Sequence, residues 1–352
     1  TEMKSIGEVM AIGRSFGEAL QKALRMLEVG ADGFDPELFP DAGNDLATLR
    51  ASLATPSTRR IFALARALAL GLSVEEAAEL TAIDRYFLHE LAALISLRKE
   101  LRAGLLCADL DEKFLRRLKQ AGFSDAGIAR IIGSDEAAVA ARRQELKLRP
   151  RLRQIDTLAA EHPAATNYLY LTYSAVEDDV EPAAGKKLLF LGSGCYRIGS
   201  SVEFDWSLCS AVRAARAEGF ATLLLNCNPE TVSTDYDTCD RLIFDEVSFE
   251  TVSALCDFEA GELKGVVVSM GGQTPNRLAL PLARAGIGIL GTTAASIDRA
   301  EDRAKFSALC DELGIDQPRW ATAVERQALS RTIEALGGFP VLVRPSYVLS
   351  GA

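Results

Sequence analysis

The feature that most restricts the fold of this chain is a change of hydrophobic rhythm between residues 175 and 187. From about residue 15 to residue 148, apolar residues recur at helical spacing without β-branched runs. After the acidic stretch AVEDDVEPAAGKK, short apolar runs such as KLLFLG, ATLLLN, GVVVSM and IGIL alternate with amphipathic helices. Such alternation is typical of βαβ units. We therefore predict an all-α region followed by an open, mostly parallel, Rossmann-like α/β sheet.

Two helix starts in the first half resemble each other, GLSVEEAAEL and GFSDAGIARI. Ser73 and Ser124 are suitable N-caps, and Glu76 has the spacing to complete a capping box with Ser73. With the Arg/Lys run at 142–153, these short helices also permit a helix-turn-helix that contacts nucleic-acid phosphates. The favoured interpretation is a solvated basic helix end beside Pro150.

Charge and hydropathy argue against several classes of protein. The net charge of −10 disfavours binding to nucleic acid or to an anionic membrane surface. The longest apolar stretches, such as IFALARALALGL, are shorter than the roughly 20 residues that cross a bilayer. The N-terminus lacks a starting Met and the features of a signal peptide, so we expect the chain to begin within a longer protein.

The seven Cys are scattered without a CxxC pair, and the two His lie far from any Cys cluster. This pattern predicts reduced thiols in a cytosol-like compartment. It also disfavours a structural zinc site and a catalytic triad that depends on His.

The first strand of the α/β half ends in GSGCYRIGSS, which resembles a dinucleotide-binding turn only superficially. Arg197 occupies the place of a required glycine in GxGxxG, and Ser200 occupies the place of the P-loop lysine. A cation in this turn favours a loop that holds an anion or carboxylate through its side chain. Glycines also permit tight turns and close packing, so a purely structural role stays open.

Further polar segments follow the first three predicted strands, where ligands of parallel sheets bind. Glu203 and Asp205 fall in the first turn of a helix, where their simplest role is to stabilise the helix dipole. In SMGGQTPN, Gly271 and Gly272 allow close backbone approach, and the Thr-Pro pair opens a helix. The loop NCNPETVSTDYDTCDR is longer than a turn requires. Its acidic and amide residues are Asn226, Asn228, Glu230, Asp235, Asp237 and Asp240.

Five segments occur in the order and spacing of a known family: GSGCYRIGSSVEFDW, NCNPETVSTDYDTCDRLIF, SMGGQTPN, GTTAASIDRAEDRAKF and VLVRPSYVLSGA. They closely resemble the second repeat of the carbamoyl phosphate synthetase large subunit. TEMKSIGEVMAIGRSFGEALQKALR is similar to the end of the family's first ATP-grasp unit, and LTAIDRYFLHEL is similar to its oligomerisation domain. The resemblance implies the end of the first ATP-grasp unit at 1–25, a helical oligomerisation domain at 26–178, a pre-ATP-grasp domain at 179–306, and the start of the second ATP-grasp domain at 307–352.

Members of this family are ligases that make carbamoyl phosphate from bicarbonate, ammonia and two ATP, with the ammonia usually taken from glutamine. The first unit forms carbamate through carboxyphosphate, and the second phosphorylates carbamate. The resemblance implies a cytoplasmic enzyme of arginine or pyrimidine biosynthesis that uses ATP, Mg²⁺ or Mn²⁺, and K⁺. Its implied partners are a glutamine amidotransferase subunit or domain and further copies of itself. The resemblance implies no binding to nucleic acid or to a membrane.

The resemblance also implies roles for single residues. Arg303 and Arg344 match ATP-binding positions of the family, whereas Arg197, Glu203 and Glu230 match the wall of the tunnel that carries carbamate. No catalytic or metal-binding residue is implied, because the sequence stops before the family's metal-binding carboxylates, and we expect the segment alone to be inactive. On the residues alone, Arg303 is a helix-surface charge and Arg344 a strand-end cation of unassigned role.

Two alternative functions stay open at this point. The chain could be a non-catalytic helical assembly module with a Rossmann-like nucleotide-binding domain. It could also be an NAD-dependent oxidoreductase, although Arg197 counts against the dinucleotide turn that such an enzyme needs.

Overall fold

Short helices build the first half of the chain. The computed structural model describes residues 8–38, 43–101, 104–159, 161–164, 166–196 and 202–343. The helices of the first half are α1 (Phe16–Met26), α2 (Leu46–Ala54), α3 (Arg60–Ala69), α4 (Val74–Thr81), α5 (Arg85–Glu100), α6 (Glu112–Gln120), α7 (Asp125–Ile132) and α8 (Glu136–Glu145), with a 3-10 helix at Cys107–Asp109.

The two predicted serine caps are confirmed. Ser73 Oγ accepts a hydrogen bond from Glu76 N at 3.1 Å at the start of α4, and Ser124 Oγ accepts one from Gly127 N at 3.0 Å at the start of α7. The second half of the predicted capping box is wrong. The Glu76 carboxylate instead accepts a hydrogen bond from Arg50 Nε on α2 at 2.5 Å, because α2 packs beside α4.

A leucine-rich core holds these helices together. Leu49, Leu53, Leu64, Leu88 and Leu118 are among its fully buried side chains. Each such side chain stabilises the fold by roughly 1.5–3 kcal/mol relative to an exposed one. The core explains the helical spacing of apolar residues, since each helix buries the one face that carries its apolar side chains.

A seven-stranded sheet forms the second half, with the strand order β1-β2-β5-β4-β3-β6-β7. Within the described part of the chain, β1 and β2 pair antiparallel and the other neighbouring strands pair parallel. The strands are β1 (Arg151–Gln154), β2 (Tyr168–Thr172), β3 (Lys187–Leu191), β4 (Ala221–Asn226), β5 (Arg241–Phe244), β6 (Leu263–Val267) and β7 (Ile289–Leu290). The predicted fold class, a helical region followed by an open and mostly parallel sheet, is confirmed.

The sheet starts with two strands that the sequence pattern did not predict. Edge strand β1 reads RLRQ and buries only Leu152, so it has no apolar run to reveal it. Its outward backbone donors are satisfied by side chains: Leu152 N donates to Asp178 Oδ1 at 2.8 Å, and Gln154 N donates to Asp179 Oδ2 at 2.9 Å. The sheet therefore draws strands from both sides of the composition change at 175–187.

Helices cover both faces of the sheet. The helices of the second half are α9 (Val202–Ala217), α10 (Phe249–Phe258), α11 (Gln273–Asn276), α12 (Ala279–Arg284), α13 (Ala294–Glu301), α14 (Arg303–Glu312) and α15 (Leu329–Leu336), with 3-10 helices at Val232–Thr234 and Arg326–Ala328. Leu189 and Leu191 of β3 enter the core shared with α10, whereas Phe190 enters the core shared with α9. Over the described ranges, no helix combines the length and apolar character that crossing a membrane requires.

Strand β3 is the turning point of the sheet. The chain runs from β3 through α9 to β4 and on to β5, and then crosses through α10 to β6 on the other side of β3. The loops after β3 and β6 therefore leave the sheet in opposite directions. In open α/β sheets a reversal of this kind opens a crevice at the carboxyl ends of the strands.

Buried ion pairs connect the helical half to the sheet. Lys22 Nζ on α1 lies 2.9 Å from Asp245 Oδ2 and donates to the carbonyl oxygen of Leu171 on β2 at 2.5 Å. Arg25 binds both carboxylate oxygens of Glu246, at 2.7 and 2.9 Å. Both acids directly follow β5, so α1 is held against that strand end.

A second cluster, which we call the Lys119 junction, consists of Lys119, Asp125, Arg143, Tyr173 and Glu250. Lys119 Nζ lies 2.9 Å from Asp125 Oδ1 and 2.6 Å from Glu250 Oε1. Arg143 Nε donates to Asp125 Oδ2 at 2.9 Å, and the Tyr173 hydroxyl donates to Glu250 Oε1 at 2.7 Å. The junction thereby joins α6, α7 and α8 of the helical half to α10 of the α/β half.

Candidate functional site

Two glycines bring the loop after β6 against the end of β3. A Cβ on Gly271 would lie 2.5 Å from the carbonyl oxygen of Leu191. A Cβ on Gly272, whose φ is +76°, would lie 2.9 Å from Phe204 Cδ2 on α9. Contacts this short exclude a side chain at either position. The close backbone approach predicted for these glycines is therefore confirmed.

Asn226, the last residue of β4, connects two loops at the same edge. Its side chain is fully buried. Its Oδ1 accepts a hydrogen bond from Gly194 N at 3.2 Å, and its Nδ2 donates to Ser233 Oγ at 3.3 Å. The loop after β3 and the loop after β4 are thus held together by one amide.

Asp205 connects α9 to the loop after β4. It lies in the first turn of α9, as predicted, and is buried. Its Oδ2 accepts a hydrogen bond from Ser233 N at 3.1 Å. Its Oδ1 is buried and has no hydrogen-bond partner among the described residues. Stabilisation of the helix dipole, the role predicted from the sequence, therefore does not by itself explain why this carboxylate is buried.

The loop after β4 folds back on the backbone of Asn228. The carbonyl oxygen of Asn228 accepts hydrogen bonds from the hydroxyls of Thr231 at 3.4 Å and Thr234 at 3.1 Å. Its side-chain Oδ1 accepts one from Glu230 N at 2.9 Å. This long connection is therefore ordered by its own polar side chains, as is common for functional loops.

The two predicted tunnel acids lie at this edge. Glu203 and Glu230 are both exposed. Glu203 is two residues before Asp205 on α9, and Glu230 is two residues after Asn228. The contact between Asp205 and Ser233 joins their two segments. Arg197 lies outside the described residues.

The two predicted ATP-binding arginines come later in the sequence than the predicted tunnel residues. Arg303 is half-buried at the start of α14. Two residues earlier, Glu301 Oε1 accepts a hydrogen bond from Asn276 Nδ2 at 2.9 Å, which connects this region to the loop after β6. Arg344 lies outside the described residues.

The ionisable groups beside Asp205 are held neutral. Burial, together with the Asp205 charge, raises the pKa of Tyr196 to about 12 and the pKa of the Cys209 thiol to about 11. Neither group is a nucleophile at neutral pH, because the thiolate and the phenolate are the reactive forms. The described part of this edge therefore offers hydrogen bonds and charge to a ligand, and we assign it no covalent chemistry.

Sequence reasoning treated several of these groups only as members of polar segments. Asn226 and Asn228 were named among the loop's polar residues, and Asp205 as a dipole-stabilising acid. Ser193 and Ser233 were not singled out. Their position in the sequence could have pointed to such residues, since Ser193 and Asn228 each lie two residues after the end of a strand, β3 and β4 respectively.

The fold and this edge together define a class: an α/β ligand-binding domain with a topological switch point, attached to a helical domain. Two family models match the chain. Residues 8–147 match the model described as the carbamoyl-phosphate synthetase large chain oligomerisation domain. Residues 184–299 match the model described as the carbamoyl phosphate synthase preATP-grasp domain.

Similar proteins cover nearly the whole chain. The arginine-specific carbamoyl phosphate synthase large chain of Eremothecium gossypii is 50% identical over 99% of this chain and 31% of its own length. The multifunctional protein CAD of Squalus acanthias is 47% identical over 100% of this chain and 15% of its own length. The mitochondrial carbamoyl-phosphate synthase (ammonia) of Aquarana catesbeiana is 45% identical over 100% of this chain and 23% of its own length.

This chain belongs to the carbamoyl phosphate synthetase large-chain family. Both family models carry that description, and the relatives match from end to end of the chain. The chain spans between 15% and 31% of the lengths of these relatives.

Proposed function

We propose that this chain is the central segment of a carbamoyl phosphate synthetase, an enzyme that uses bicarbonate, ammonia or glutamine, and two ATP. The segment contains the end of the first ATP-grasp unit, the oligomerisation domain, and the pre-ATP-grasp domain and the start of the ATP-grasp domain of the second unit. In this proposal the helical half mediates self-association, the carboxyl edge of the sheet forms a wall of the carbamate tunnel, and the segment alone is inactive. The observation that carries the proposal is the polar cluster at that edge, where hydrogen bonds join the loops after β3 and β4 and the loop after β6 packs close to them.

The tunnel wall is proposed to include Arg197, Glu203 and Glu230. Both glutamates are exposed and lie close to buried hydrogen bonds: Glu230 N donates to Asn228 Oδ1 at 2.9 Å, and Asp205 Oδ2, two residues after Glu203, accepts from Ser233 N at 3.1 Å. A wall of carboxylates and a guanidinium can hydrogen-bond a labile anion, while the surrounding protein excludes the water that would hydrolyse it.

Part of the second ATP site is proposed to be Arg303 and Arg344, whose guanidinium groups would pair with phosphates. The described residues contain no group of three or more His, Cys, Asp or Glu that could hold a metal ion. They therefore do not fit a Mg²⁺ or Mn²⁺ site, and we derive no step through a metal, through K⁺ or through ATP itself.

The proposed partners are a glutamine amidotransferase subunit or domain and a second copy of the chain. Relatives named as multifunctional proteins are compatible with a fused amidotransferase. Tyr86 and Phe87 support self-association, because both are exposed at the start of α5, where their rings meet edge to face with centroids 5.3 Å apart. We propose a cytoplasmic location, although the names of some relatives include the word mitochondrial.

The test of the tunnel uses the full-length synthetase that carries this segment. We expect Glu203→Gln and Glu230→Gln to raise the amount of ADP formed per carbamoyl phosphate, because carbamate that escapes is hydrolysed after ATP has been spent. The matched control is Glu218→Gln, an exposed acid just beyond the other end of α9. An unchanged ADP to carbamoyl phosphate ratio in both variants would refute the tunnel proposal.

A further inference from the structure

Glu28 breaks two local rules at the end of α1. It directly follows the C-cap residue Leu27 and has a φ of +53°, in the left-handed region where glycine is usual and a Cβ is disfavoured. Its carboxylate also lies at the negative end of the helix dipole, where an anion is unfavourable. Residues that break local rules in a folded protein are often retained for a contact made elsewhere.

Lys147 occupies the same backbone position at the end of α8. It directly follows the C-cap residue Leu146 and has a φ of +54°. Lys147 N donates to the carbonyl oxygen of Gln144 at 2.9 Å, just as Glu28 N donates to that of Arg25 at 3.0 Å. Lys147 is exposed, and its cation suits the C-terminal end of a helix. Glu28 has the opposite charge in the same setting, so the end of α1 is not optimised for the helix itself.

The Glu28 carboxylate reaches two loops at the carboxyl edge of the sheet. Its Oε1 lies 2.9 Å from Nη2 of Arg277, which caps α11 just after the loop that follows β6. A Cβ on Gly194, in the loop after β3, would lie 3.8 Å from the same oxygen. The Cys195 thiol lies 4.0 Å from the carbonyl oxygen of Leu27, and the Glu28 side chain is only 11% exposed. The end of α1 therefore lies against both loops.

The rest of this segment is fixed at the same edge. The ion pairs described above hold α1 against the residues that follow β5. Before the helix begins, Met10 N donates to the carbonyl oxygen of Cys227, just after β4, at 2.7 Å. Residues 10–28 thereby contact the chain after β3, β4, β5 and β6. Glu28 is the contact of this segment with the two loops that leave the sheet in opposite directions.

We propose that Glu28 is a positioning residue that holds the loops after β3 and β6 in place across the crevice between them. The proposal rests on the function proposed above, in which this edge forms a wall of the carbamate tunnel. Glu28 acts through Arg277 and Gly194, and it keeps the wall closed without touching the reacting atoms. Its unfavourable backbone is retained because glycine would supply no carboxylate. A residue of the helical half thus serves the second phosphorylating unit.

The test separates the local cost of Glu28 from its proposed role. Glu28→Gly removes the carboxylate, and it also removes the positive-φ penalty and the unfavourable charge at the helix end. The melting temperature of the full-length synthetase should therefore not fall. Arg277→Met removes the other partner of the ion pair. Lys147→Gly is the matched control, because it relieves the same backbone position at the end of α8.

The second measurement is the ADP formed in excess of the coupled reaction, per carbamoyl phosphate. An ion pair with one half-exposed partner changes an equilibrium by about two- to fivefold. We therefore expect Glu28→Gly and Arg277→Met each to raise the excess ADP by about that factor. The double variant should raise it no further than either single change, because both remove the same contact. Lys147→Gly should leave it unchanged.

Several outcomes overturn the proposal. If Glu28→Gly lowers the melting temperature and leaves the excess ADP unchanged, Glu28 is a purely structural residue. If the two single effects add in the double variant, the residues do not act through their ion pair. If Glu203→Gln and Glu230→Gln raise the excess ADP but Glu28→Gly does not, the positioning role is wrong and the tunnel stands. If none of these variants raises it, both proposals fail.

Discussion

Replacing Lys119 by Met should destabilise the chain strongly, because Lys119 neutralises two buried carboxylates at the Lys119 junction. Its Nζ contacts Asp125 and Glu250, and both the lysine and Asp125 side chains are about 1% exposed. Met is apolar and similar in length, so the change removes the charge with little change in volume.

The magnitude follows from the pKa of Glu250. Burial alone would raise this pKa, but the charges of Lys119 and Arg143, with hydrogen bonds from Lys119 and the backbone N–H of Asp125, overcome that effect and hold it at about 2 instead of 4.5. At about 1.4 kcal/mol per pKa unit, the difference corresponds to roughly 3 kcal/mol of stability. That shift is the joint effect of all these partners, whereas breaking a buried ion pair by removing one partner costs about 3–5 kcal/mol in general, and we expect a loss of that order for Lys119→Met.

The pH dependence has a definite sign. Because the pKa of Glu250 is lower in the folded chain, its contribution is fully present above about pH 4.5. The contribution is lost as the pH falls from there toward 2. The difference between the native chain and Lys119→Met should therefore be largest at neutral pH and should shrink in acid.

Urea denaturation followed by circular dichroism measures these free energies. The control is Lys113→Met, on the exposed side of the same helix, which should change stability by less than about 0.5 kcal/mol. Adding Glu250→Met to Lys119→Met should recover part of the loss, since no unpaired charge is then left at that position. A loss below about 1 kcal/mol at neutral pH for Lys119→Met would refute the reasoning.

Three further predictions concern packing and thiol reactivity. Leu53→Ala, in the fully buried core of the helical half, should cost about 2–5 kcal/mol in urea denaturation, and a change near zero would contradict the assigned core. Gly271→Ala should lower the melting temperature, because the new Cβ would collide with the carbonyl oxygen of Leu191. Gly261→Ala is the control and should not lower it, because a Cβ there meets nothing within 4 Å. Equal effects of the two changes would contradict the close approach to Leu191. Cys107, which is half-buried, should react with a disulfide reagent before the buried Cys209, whose pKa of about 11 suppresses the thiolate form. Peptide mapping measures the order of labelling, and labelling of Cys209 first would contradict this prediction.

Much of the fold could be predicted from local patterns. The helices of the first half follow from apolar spacing and from caps such as Ser73 and Ser124, which act over three residues. Strands β3, β4, β6 and β7 follow from apolar runs, because strands buried on both faces are apolar throughout. Strands β1, β2 and β5 were not predicted, and β1 is mostly charged because it lies at an edge.

Contacts between distant residues could not be predicted in this way. Lys119 and Glu250 are 131 positions apart, and each resembles an ordinary charge on a helix surface. The same limit applies to the candidate site. The loops at the strand ends were predicted, but the contact of Asp205 with Ser233 depends on how α9 packs against the next loop.

The two ends of the sheet protect the chain against unwanted strand exchange between copies. An edge strand with free N–H and C=O groups can recruit a strand from another molecule and start aggregation. On β1, Asp178 and Asp179 occupy two of those donors, and the opposite edge strand β7 has only two residues, Ile289 and Leu290. If copies associate through their helices as proposed, these edges disfavour further pairing between their sheets.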